Sequence, residues 1–282
     1  MCFKGWTDSA DTFITQPYKV VFFLAKKERI LYYNYGDYMK NFKIVLEYDG
    51  TKYNGWQKQG NTKNTIEYKF LEILKKMSGS ETEIFASGRT DSGVHAKGQV
   101  ANFKIDTDMS AKQVMDYINT YLPEDIRVLN CTEVDERFHS RLNAERKTYM
   151  YRIYLGKPSV FERKYVYATD KALDAEKMKE AAKSFIGKYD FKAFCTKQKM
   201  KKSTVREIYS LDVIENGEEL DIVVCGNGFL YNMVRIISGT LFKVGTGEIK
   251  PEEIKNIIKD KNRENAGDTL PPSGLTLLSV EY

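Results

Sequence analysis

Residues 86 to 103 read ASGRTDSGVHAKGQVANF and place three glycines, an arginine, an aspartate and a histidine between two apolar segments. Gly88, Gly93 and Gly98 can adopt backbone angles that other residues avoid, and Thr90 to Gly93 has the composition of a turn. The pattern predicts a tight loop between one strand that contains IFAS and another that contains QVANFKI. An aspartate in such a loop usually caps its own turn, so this stretch alone gives Asp91 no chemical role.

The sequence around this loop alternates between strands and helices. In FKIVLEY, residues 42 to 48, every second residue is apolar, which predicts a strand with one buried face. Asn64 is a candidate cap for a helix with an apolar stripe, and Ser110 is a candidate cap for a second helix that ends at Pro123. Further strands are predicted at IRVLNCTEV and KTYMYRIY, which are residues 126 to 134 and 147 to 154.

The second half of the chain alternates in a similar way. It contains a helix from Asp174 to Ile186 and a hairpin with Asn216-Gly217 at its turn. An apolar helix spans about 230 to 244, a short amphipathic helix follows Pro251, and LTLLSVEY ends the chain as a strand. Hairpins mixed with helices predict an α+β fold with a mostly antiparallel sheet.

Composition sets limits on the class of protein. The 282 residues are 42% hydrophobic and 29% charged, which indicates a globular chain. Its 44 basic and 39 acidic residues give a net charge of +5, which permits a nucleic-acid partner without requiring one. The longest apolar run near the amino terminus, residues 20 to 25, is too short for a membrane span, so we expect a cytoplasmic protein.

The metal-ligating residues are few and scattered. The four cysteines are far apart and have no CxxC spacing, and the only histidines are His95 and His139. We therefore expect reduced cysteines, no bound metal and no cofactor.

Residues 1 to 38 differ from the rest because they are rich in tyrosine and show no clean periodicity. A methionine stands at position 39, just before the first convincing strand. We expect an amino-terminal extension of uncertain status that adds little to the core, with Met39 as a candidate biological start.

Four separated stretches carry a resemblance to a known family. They are YDGTKYNGWQKQ at 48 to 59, GRTDSGVHAKGQV at 88 to 100, FHSRLNAERKTYMYRIY at 138 to 154 and GNGFLYNMVRIISGTL at 226 to 241. Together they resemble the tRNA pseudouridine synthase A family, whose members isomerise uridine to pseudouridine in the anticodon arm, at tRNA positions 38, 39 and 40. The resemblance runs from about Lys40 to Tyr282. It departs from the family at Ser92 and Leu270, where alanine is usual.

The resemblance implies three catalytic residues. Asp91 matches the catalytic aspartate, Arg235 matches an arginine beside it, and Tyr149 matches a tyrosine that packs on the target base and is a candidate for moving the C5 proton. An arginine inside an apolar helix also needs a partner on physical grounds, since an unpaired buried charge is costly. Periodicity alone would make Tyr149 an ordinary core residue. The reaction leaves two routes open for an ionised Asp91, which are addition to C1′ and removal of a proton from C2′.

Basic residues near these motifs are candidates for RNA contacts. A uridine within a stacked stem cannot react, so the base must be flipped out, and phosphate contacts must offset that cost. The candidates for substrate binding are Tyr149, Arg89, Arg141, Arg146, Lys147 and Arg206, with further basic residues at Arg137, Arg152, Lys197, Lys199, Lys201 and Lys202. For the run from Lys197 to Arg206, a solvated loop is an equally good interpretation.

The family resemblance also predicts a pseudouridine synthase-like fold of two related halves, 39–145 with the catalytic aspartate and 146–282, which face each other across a basic cleft. It implies a homodimer that binds tRNA. Two alternatives stay open. One is a divergent paralogue that modifies another RNA, and the other is an RNA-binding or RNA-folding module without catalysis.

Overall fold

The computed structural model describes residues 39 to 197 and 203 to 282. The predicted amino-terminal extension, residues 1 to 38, lies outside the described residues. So do three of the candidate RNA-contacting lysines, Lys199, Lys201 and Lys202.

Ten strands form one sheet in the order β4-β1-β3-β10-β5-β9-β8-β7, with β2 paired to β3 and β6 paired to β5. The strands are β1 Lys40–Tyr48, β2 Ile84–Ala86, β3 His95–Ile105, β4 Ile126–Val134, β5 Arg146–Leu155, β6 Tyr167–Thr169, β7 Gly187–Asp190, β8 Val205–Asn216, β9 Glu219–Gly226 and β10 Leu275–Glu281. All pairings are antiparallel except β10 with β3 and β6 with β5. The hairpin predicted at Asn216-Gly217 joins β8 to β9. The predicted α+β class is confirmed.

The described residues include five α-helices: α1 Ile66–Ser78, α2 Ala111–Tyr121, α3 Ala175–Lys183, α4 Met233–Gly245 and α5 Ile254–Asp260. Ser110 caps α2 as predicted, in a capping box with Gln113. The cap predicted for α1 is wrong by one residue. Thr65 accepts the Tyr68 N–H, while the Asn64 side chain donates to the Lys52 carbonyl.

One face of the sheet packs against the helices. Phe42, Ile44, Leu46 and Tyr48 alternate along β1, and all are buried. This matches the period-2 pattern that the sequence shows, because alternate side chains of a strand point to the same face.

Strand β10 joins the two parts of the sheet. It runs parallel to β3 at Thr276 and Leu277 and antiparallel to β5 along most of its length. The approach to β3 is close, since a Cβ at Gly98 would lie 2.3 Å from the Leu278 carbonyl oxygen. The predicted boundary at 145/146 falls at the start of β5, and the division into two halves there stays a prediction. That the two halves are related to each other remains a prediction.

Among the helices that the structure describes, none combines the length and the apolar character needed to cross a membrane.

Candidate active site

A cleft of about 1290 Å³ opens beside the loop between β2 and β3. Its lining includes Asp91 and Arg89 from this loop, Lys147 and Tyr149 from β5, and Arg206 from β8. The loop, β5 and β8 thus bring to one place residues as far apart in sequence as Arg89 and Arg206.

The loop that carries Asp91 is hydrogen-bonded to residues from the first half of the chain. The Trp56 N–H donates to the Thr90 carbonyl at 3.0 Å, and the Tyr48 hydroxyl lies 2.8 Å from the Thr90 hydroxyl. Gly55 has φ +88°, and a Cβ there would lie 2.7 Å from the Thr90 oxygen. Gly55, within the motif YDGTKYNGW, therefore lets this segment of backbone pass close to the Asp91 loop and support it.

Gln99, on β3, holds the start of the same loop in place through hydrogen bonds. Its side chain is fully buried, accepts from the Ser87 hydroxyl at 2.7 Å and donates to the Gly88 carbonyl at 2.8 Å. Sequence reasoning did not single out Gln99. Its signal was an uncharged polar residue within a predicted strand, since a buried amide requires hydrogen-bond partners.

Arg235 lies beside Asp91, as expected for a charge inside an apolar helix. The Nη1 of Arg235 is 3.5 Å from Oδ2 of Asp91, and the two side chains are 14% and 25% exposed. Among the described residues, no backbone N–H of the loop donates to the Asp91 carboxylate. The aspartate therefore does not cap its own turn and is directed towards the arginine.

Two further contacts hold the guanidinium in place. Its Nε donates to the Leu270 carbonyl at 2.7 Å, and its Nη1 donates to Oδ1 of Asn232 at 3.2 Å. The Leu270 segment can pass this close to α4 because residue 239 is a glycine and has no side chain. A Cβ at Gly239 would lie only 2.0 Å from the Asp268 carbonyl oxygen.

Asn232 is the second residue that sequence reasoning missed. It is the N-cap of α4 and has φ +63°, a left-handed conformation that asparagine tolerates better than most residues. Its amide nitrogen donates to the Thr196 hydroxyl at 2.9 Å. The side chain therefore connects Arg235 to Thr196, two residues after the short 3-10 helix Lys192–Phe194.

The Asp91 carboxyl is under two opposing influences. Burial raises its pKa above the usual value, and the nearby Arg235 charge lowers it, with burial the larger effect. Arg235 thus favours the ionised form of a carboxylate that its surroundings would otherwise tend to keep protonated.

Tyr149 is buried, with 7% exposure, and packs edge-on against Phe229 at 5.3 Å between ring centroids. Its hydroxyl forms no hydrogen bond with the described residues, and the residue lines the cleft. Burial raises the pKa of this phenol above its usual value, so its hydroxyl stays protonated at neutral pH. Tyr149 is both a core residue and a wall of the cleft, which reconciles the two interpretations of its sequence position.

The predicted RNA-binding residues divide into two groups. Arg89, Arg141, Lys147, Arg206 and Lys197 line the cleft. Arg146 does not, because its side chain stacks on Tyr209 and pairs with Glu281 at 3.9 Å. Arg152 is also outside the lining and pairs with Glu162 and Glu219. The cleft geometry therefore gives no support to a substrate contact by Arg146, although that contact remains a prediction.

The two histidines have different surroundings. Nδ1 of His95 accepts the Gly50 N–H at 3.1 Å, and its Nε2 lies 3.1 Å from the Lys164 carbonyl, so Nε2 carries the proton of a neutral ring. Asp49 also lies 3.3 Å from Nδ1, but burial outweighs its attraction and lowers the pKa of His95. His95 is therefore a structural link between the two parts of the chain. His139 lines the cleft and contacts Phe85 at 4.7 Å between ring centroids.

Within the ranges 39 to 197 and 203 to 282, no three or more histidine, cysteine, aspartate or glutamate side chains are grouped as metal ligands. The expectation that the protein uses no metal or cofactor stays a prediction.

Comparison with known proteins gives a consistent result. A family described as tRNA pseudouridine synthase matches residues 44–143 and 181–282. A Clostridium perfringens protein named tRNA pseudouridine synthase A 2 is 49% identical over 245 residues, covering 86% of this chain and 100% of the relative. A Bacillus anthracis protein of the same name is 45% identical with the same coverage. A Thermoanaerobacter protein named tRNA pseudouridine synthase A is 44% identical over 247 residues, again covering 86% of this chain and 100% of the relative.

Among solved structures, the crystal structure of a Cbf5-Nop10-Gar1 complex has a chain with 12% identity and a TM-score of 0.37. The alignment covers 84% of this chain and 48% of that one, and the likeness is too low to bear on fold or function.

The family match covers most of the described residues, and the relatives are aligned over their whole length. Both extend across the Asp91 loop and the α4 segment that carries Arg235. The chain belongs to the tRNA pseudouridine synthase family, whose reaction is the isomerisation of uridine in tRNA.

Proposed function

We propose that the protein converts uridine to pseudouridine at positions 38, 39 and 40 in the anticodon arm of tRNA. The observation that carries the proposal is the Asp91 carboxylate paired with Arg235 at 3.5 Å, at the wall of a cleft lined by unpaired cations. The anticodon arm as the target comes from the family resemblance of the four sequence motifs.

Asp91 is the reacting group. The bond between C1′ of the ribose and N1 of the base breaks, the base turns, and C1′ joins the C5 carbon of the same ring. In one route the carboxylate adds to C1′ as the base leaves, and the base later displaces it. In the other it removes the C2′ proton to leave a glycal, and returns that proton when C5 bonds to C1′. Both routes need an ionised carboxylate, which Arg235 favours.

Tyr149 supports the base during this rotation. Its ring forms a wall of the cleft, and its protonated hydroxyl is unpaired among the described residues. Once C5 is bonded to C1′, the C5 proton must leave and N1 must gain one, so the reaction neither consumes nor releases a net proton. No oxidant, reductant or energy source is required.

The basic lining of the cleft supports RNA as the substrate. Flipping a base out of a stack costs on the order of a few kcal/mol, and phosphate contacts by lysine and arginine can offset this cost. Arg89, Arg141, Lys147 and Arg206 form no ion pair with any described carboxylate, so their charges are available to phosphates.

We further propose that the protein is a cytoplasmic homodimer in which one tRNA contacts both subunits, as the family resemblance implies. Sedimentation velocity at micromolar concentration tests the assembly. A sedimentation coefficient for twice the chain mass is expected, and a monomer would exclude the dimer.

Incubation of the protein with unmodified tRNA, followed by carbodiimide treatment and primer extension, tests the activity. Stops at positions 38, 39 and 40 are expected. Stops only in another RNA would favour a divergent paralogue. Tight tRNA binding with no stops would favour the non-catalytic alternative.

A further inference from the structure

Three cations of the cleft form a group beside the catalytic loop. Arg141, Lys147 and Arg206 all line the cleft, and burial together with the charges of Arg141 and Arg206 lowers the pKa of the Lys147 ammonium. Nη1 of Arg206 donates to the Ser203 carbonyl at 3.0 Å and to the Val205 carbonyl at 2.6 Å, which fixes the guanidinium at this side of β8. We refer to Arg141, Lys147 and Arg206 as the cation cluster.

No described carboxylate neutralises the cation cluster. Lys147 is half-buried and its Nζ donates only to the Ser87 carbonyl, while Arg141 and Arg206 make no ion pair. By contrast, Arg146 and Arg152, which lie outside the cleft, are paired with glutamates. Three neighbouring cations without an acidic partner repel each other, and a bound anion would relieve that repulsion.

The position of the cluster relates it to the reacting nucleotide. A Cβ at Gly88 would lie 3.3 Å from Nζ of Lys147 and 3.8 Å from the Tyr149 hydroxyl. The glycine therefore leaves open a space that borders both the ammonium and the phenol. Lys147 and Tyr149 are two residues apart on β5, so their side chains project from the same face.

We propose that the cation cluster binds one backbone phosphate of the flipped nucleotide, with Lys147 as the member that lies beside Tyr149 and the opening left by Gly88. The inference rests on the proposed function, since it takes the ligand to be RNA. The single negative charge of a bound phosphodiester makes the charged ammonium of Lys147 more favourable, so phosphate binding should be accompanied by proton uptake at Lys147.

Burial and the charges of Arg141 and Arg206 lower the pKa of Lys147 to about 8 in the free protein. The other charged or titratable side chains that line the cleft are Arg89, Asp91, His139, Tyr149, Lys58, Lys197, Tyr231, Glu67, Glu81 and Glu83. These side chains are the same in wild type and in Lys147→Arg, so the contribution of Lys147 is obtained by comparison with that variant, which stays charged throughout.

The test is the affinity for unmodified tRNA between about pH 7.5 and pH 9.5, measured by fluorescence anisotropy at constant salt. Wild-type affinity is expected to fall on the order of tenfold more than that of Lys147→Arg, since a proton must be taken up at the higher pH. Lys147→Met should bind more weakly at pH 7.5. For Lys147→Met, the slope of log K against log salt should be smaller in magnitude by about 0.7 to 0.9, the value for one phosphate contact.

Lys255→Met is the matched control, because Lys255 is exposed on α5 and does not line the cleft. It should follow the wild type in both titrations. Parallel pH profiles for wild type and Lys147→Arg would overturn the proposal, and this comparison decides the matter even if Lys147→Met does not fold.

Pseudouridine formation is measured on the same samples. An active wild-type protein with pH-independent binding contradicts only the phosphate subsite. A protein that binds tRNA with the expected pH dependence but forms no pseudouridine contradicts only the proposed function. Failure to bind tRNA at all would contradict both.

Discussion

At the residue scale, the Asp91 carboxyl determines how the site responds to pH. Burial raises its pKa and Arg235 opposes that rise. Protonation removes the negative charge that both proposed routes use, so activity should fall in acid. The fall should begin at a higher pH than the value near 3.9 of an ordinary aspartate would give.

Replacing Arg235 should therefore move the acid limb of the pH profile of kcat/KM, which is the pH range over which the activity falls in acid. In Arg235→Gln the opposing charge is lost, so the pKa of Asp91 rises further and the limb shifts to higher pH. Arg235→Lys keeps a positive charge and should shift it less. Initial rates between about pH 4.5 and 7.5 measure the limb, and a shift to lower pH in Arg235→Gln would contradict the pairing.

Asn232 acts through Arg235 as a positioning residue. Asn232→Gly keeps the left-handed backbone but loses the oxygen that accepts from Arg235, so kcat should fall about tenfold, as expected for one hydrogen bond to a charged group. KM and the melting temperature should change little.

Asn232→Asp is the control, since it retains both the accepting oxygen and tolerance of positive φ. Recovery of most of the lost kcat in Asn232→Asp is expected. Equal losses in the two variants would assign Asn232 a purely structural role.

At the residue scale, the sequence identified the charged members of the site and missed the amides that hold them. Arg235 was predictable because a charge inside an apolar helix needs a partner. Asn232 and Gln99 were not, because their roles depend on which backbone groups tertiary folding brings next to them.

At the element scale, the contact between β3 and β10 places the Asp91 loop next to the second half of the sheet. Gly98→Ala would put a methyl group 2.3 Å from the Leu278 oxygen. One of the two strands must then shift, so a loss of about 1 to 3 kcal/mol of stability is expected.

Gly60→Ala is the matched control, since a Cβ there meets nothing within 4 Å. Its stability should stay within about 0.5 kcal/mol of the wild type. Chemical denaturation of both variants makes the comparison, and equal stabilities would mean that the two strands are less closely packed than described.

His95 links β3 to the Lys164 carbonyl and gives this part of the fold a pH dependence. Its folded-state pKa lies below that of an unfolded histidine because burial disfavours the charged ring. Between these two values the unfolded chain binds more protons, so stability is lost as the pH falls from about 6.5 through the folded-state pKa.

In His95→Gln, the amide can still accept from Gly50 and donate to Lys164 without titrating. The free energy of unfolding should therefore change less between about pH 7 and pH 5 than in the wild type. Denaturant titrations at both pH values measure the difference, and equal pH dependence in the two proteins would contradict a buried neutral His95.

The sequence predicted the elements well where the apolar period was clear, as in β1, α2 and the β8-β9 hairpin. The parallel contact of β10 with β3 could not be predicted, because it joins residues about 180 positions apart and leaves no local pattern. The cap of α1 was misplaced because Asn64 and Thr65 are adjacent residues that can both cap a helix.

At the scale of the whole molecule, the fold brings Asp91, Tyr149 and Arg206 from three parts of the chain to a single cleft, with Arg235 of α4 beside Asp91. The net charge of +5 is small, so RNA binding depends on where the charges lie. Arg152, outside the cleft, is paired with glutamates, whereas Arg89, Arg141, Lys147 and Arg206 in its lining form no ion pair with a described carboxylate.

The most direct measurement compares wild type and Asp91→Asn for pseudouridine formation in unmodified tRNA, with tRNA affinity measured in parallel. The amide keeps the size of the carboxylate but can neither attack C1′ nor accept the C2′ proton. The expected result is no detectable turnover with affinity nearly unchanged, because binding depends on phosphate contacts elsewhere in the cleft. Turnover above about a tenth of wild type, a barrier change below about 1.4 kcal/mol, would show that Asp91 is not the catalytic group.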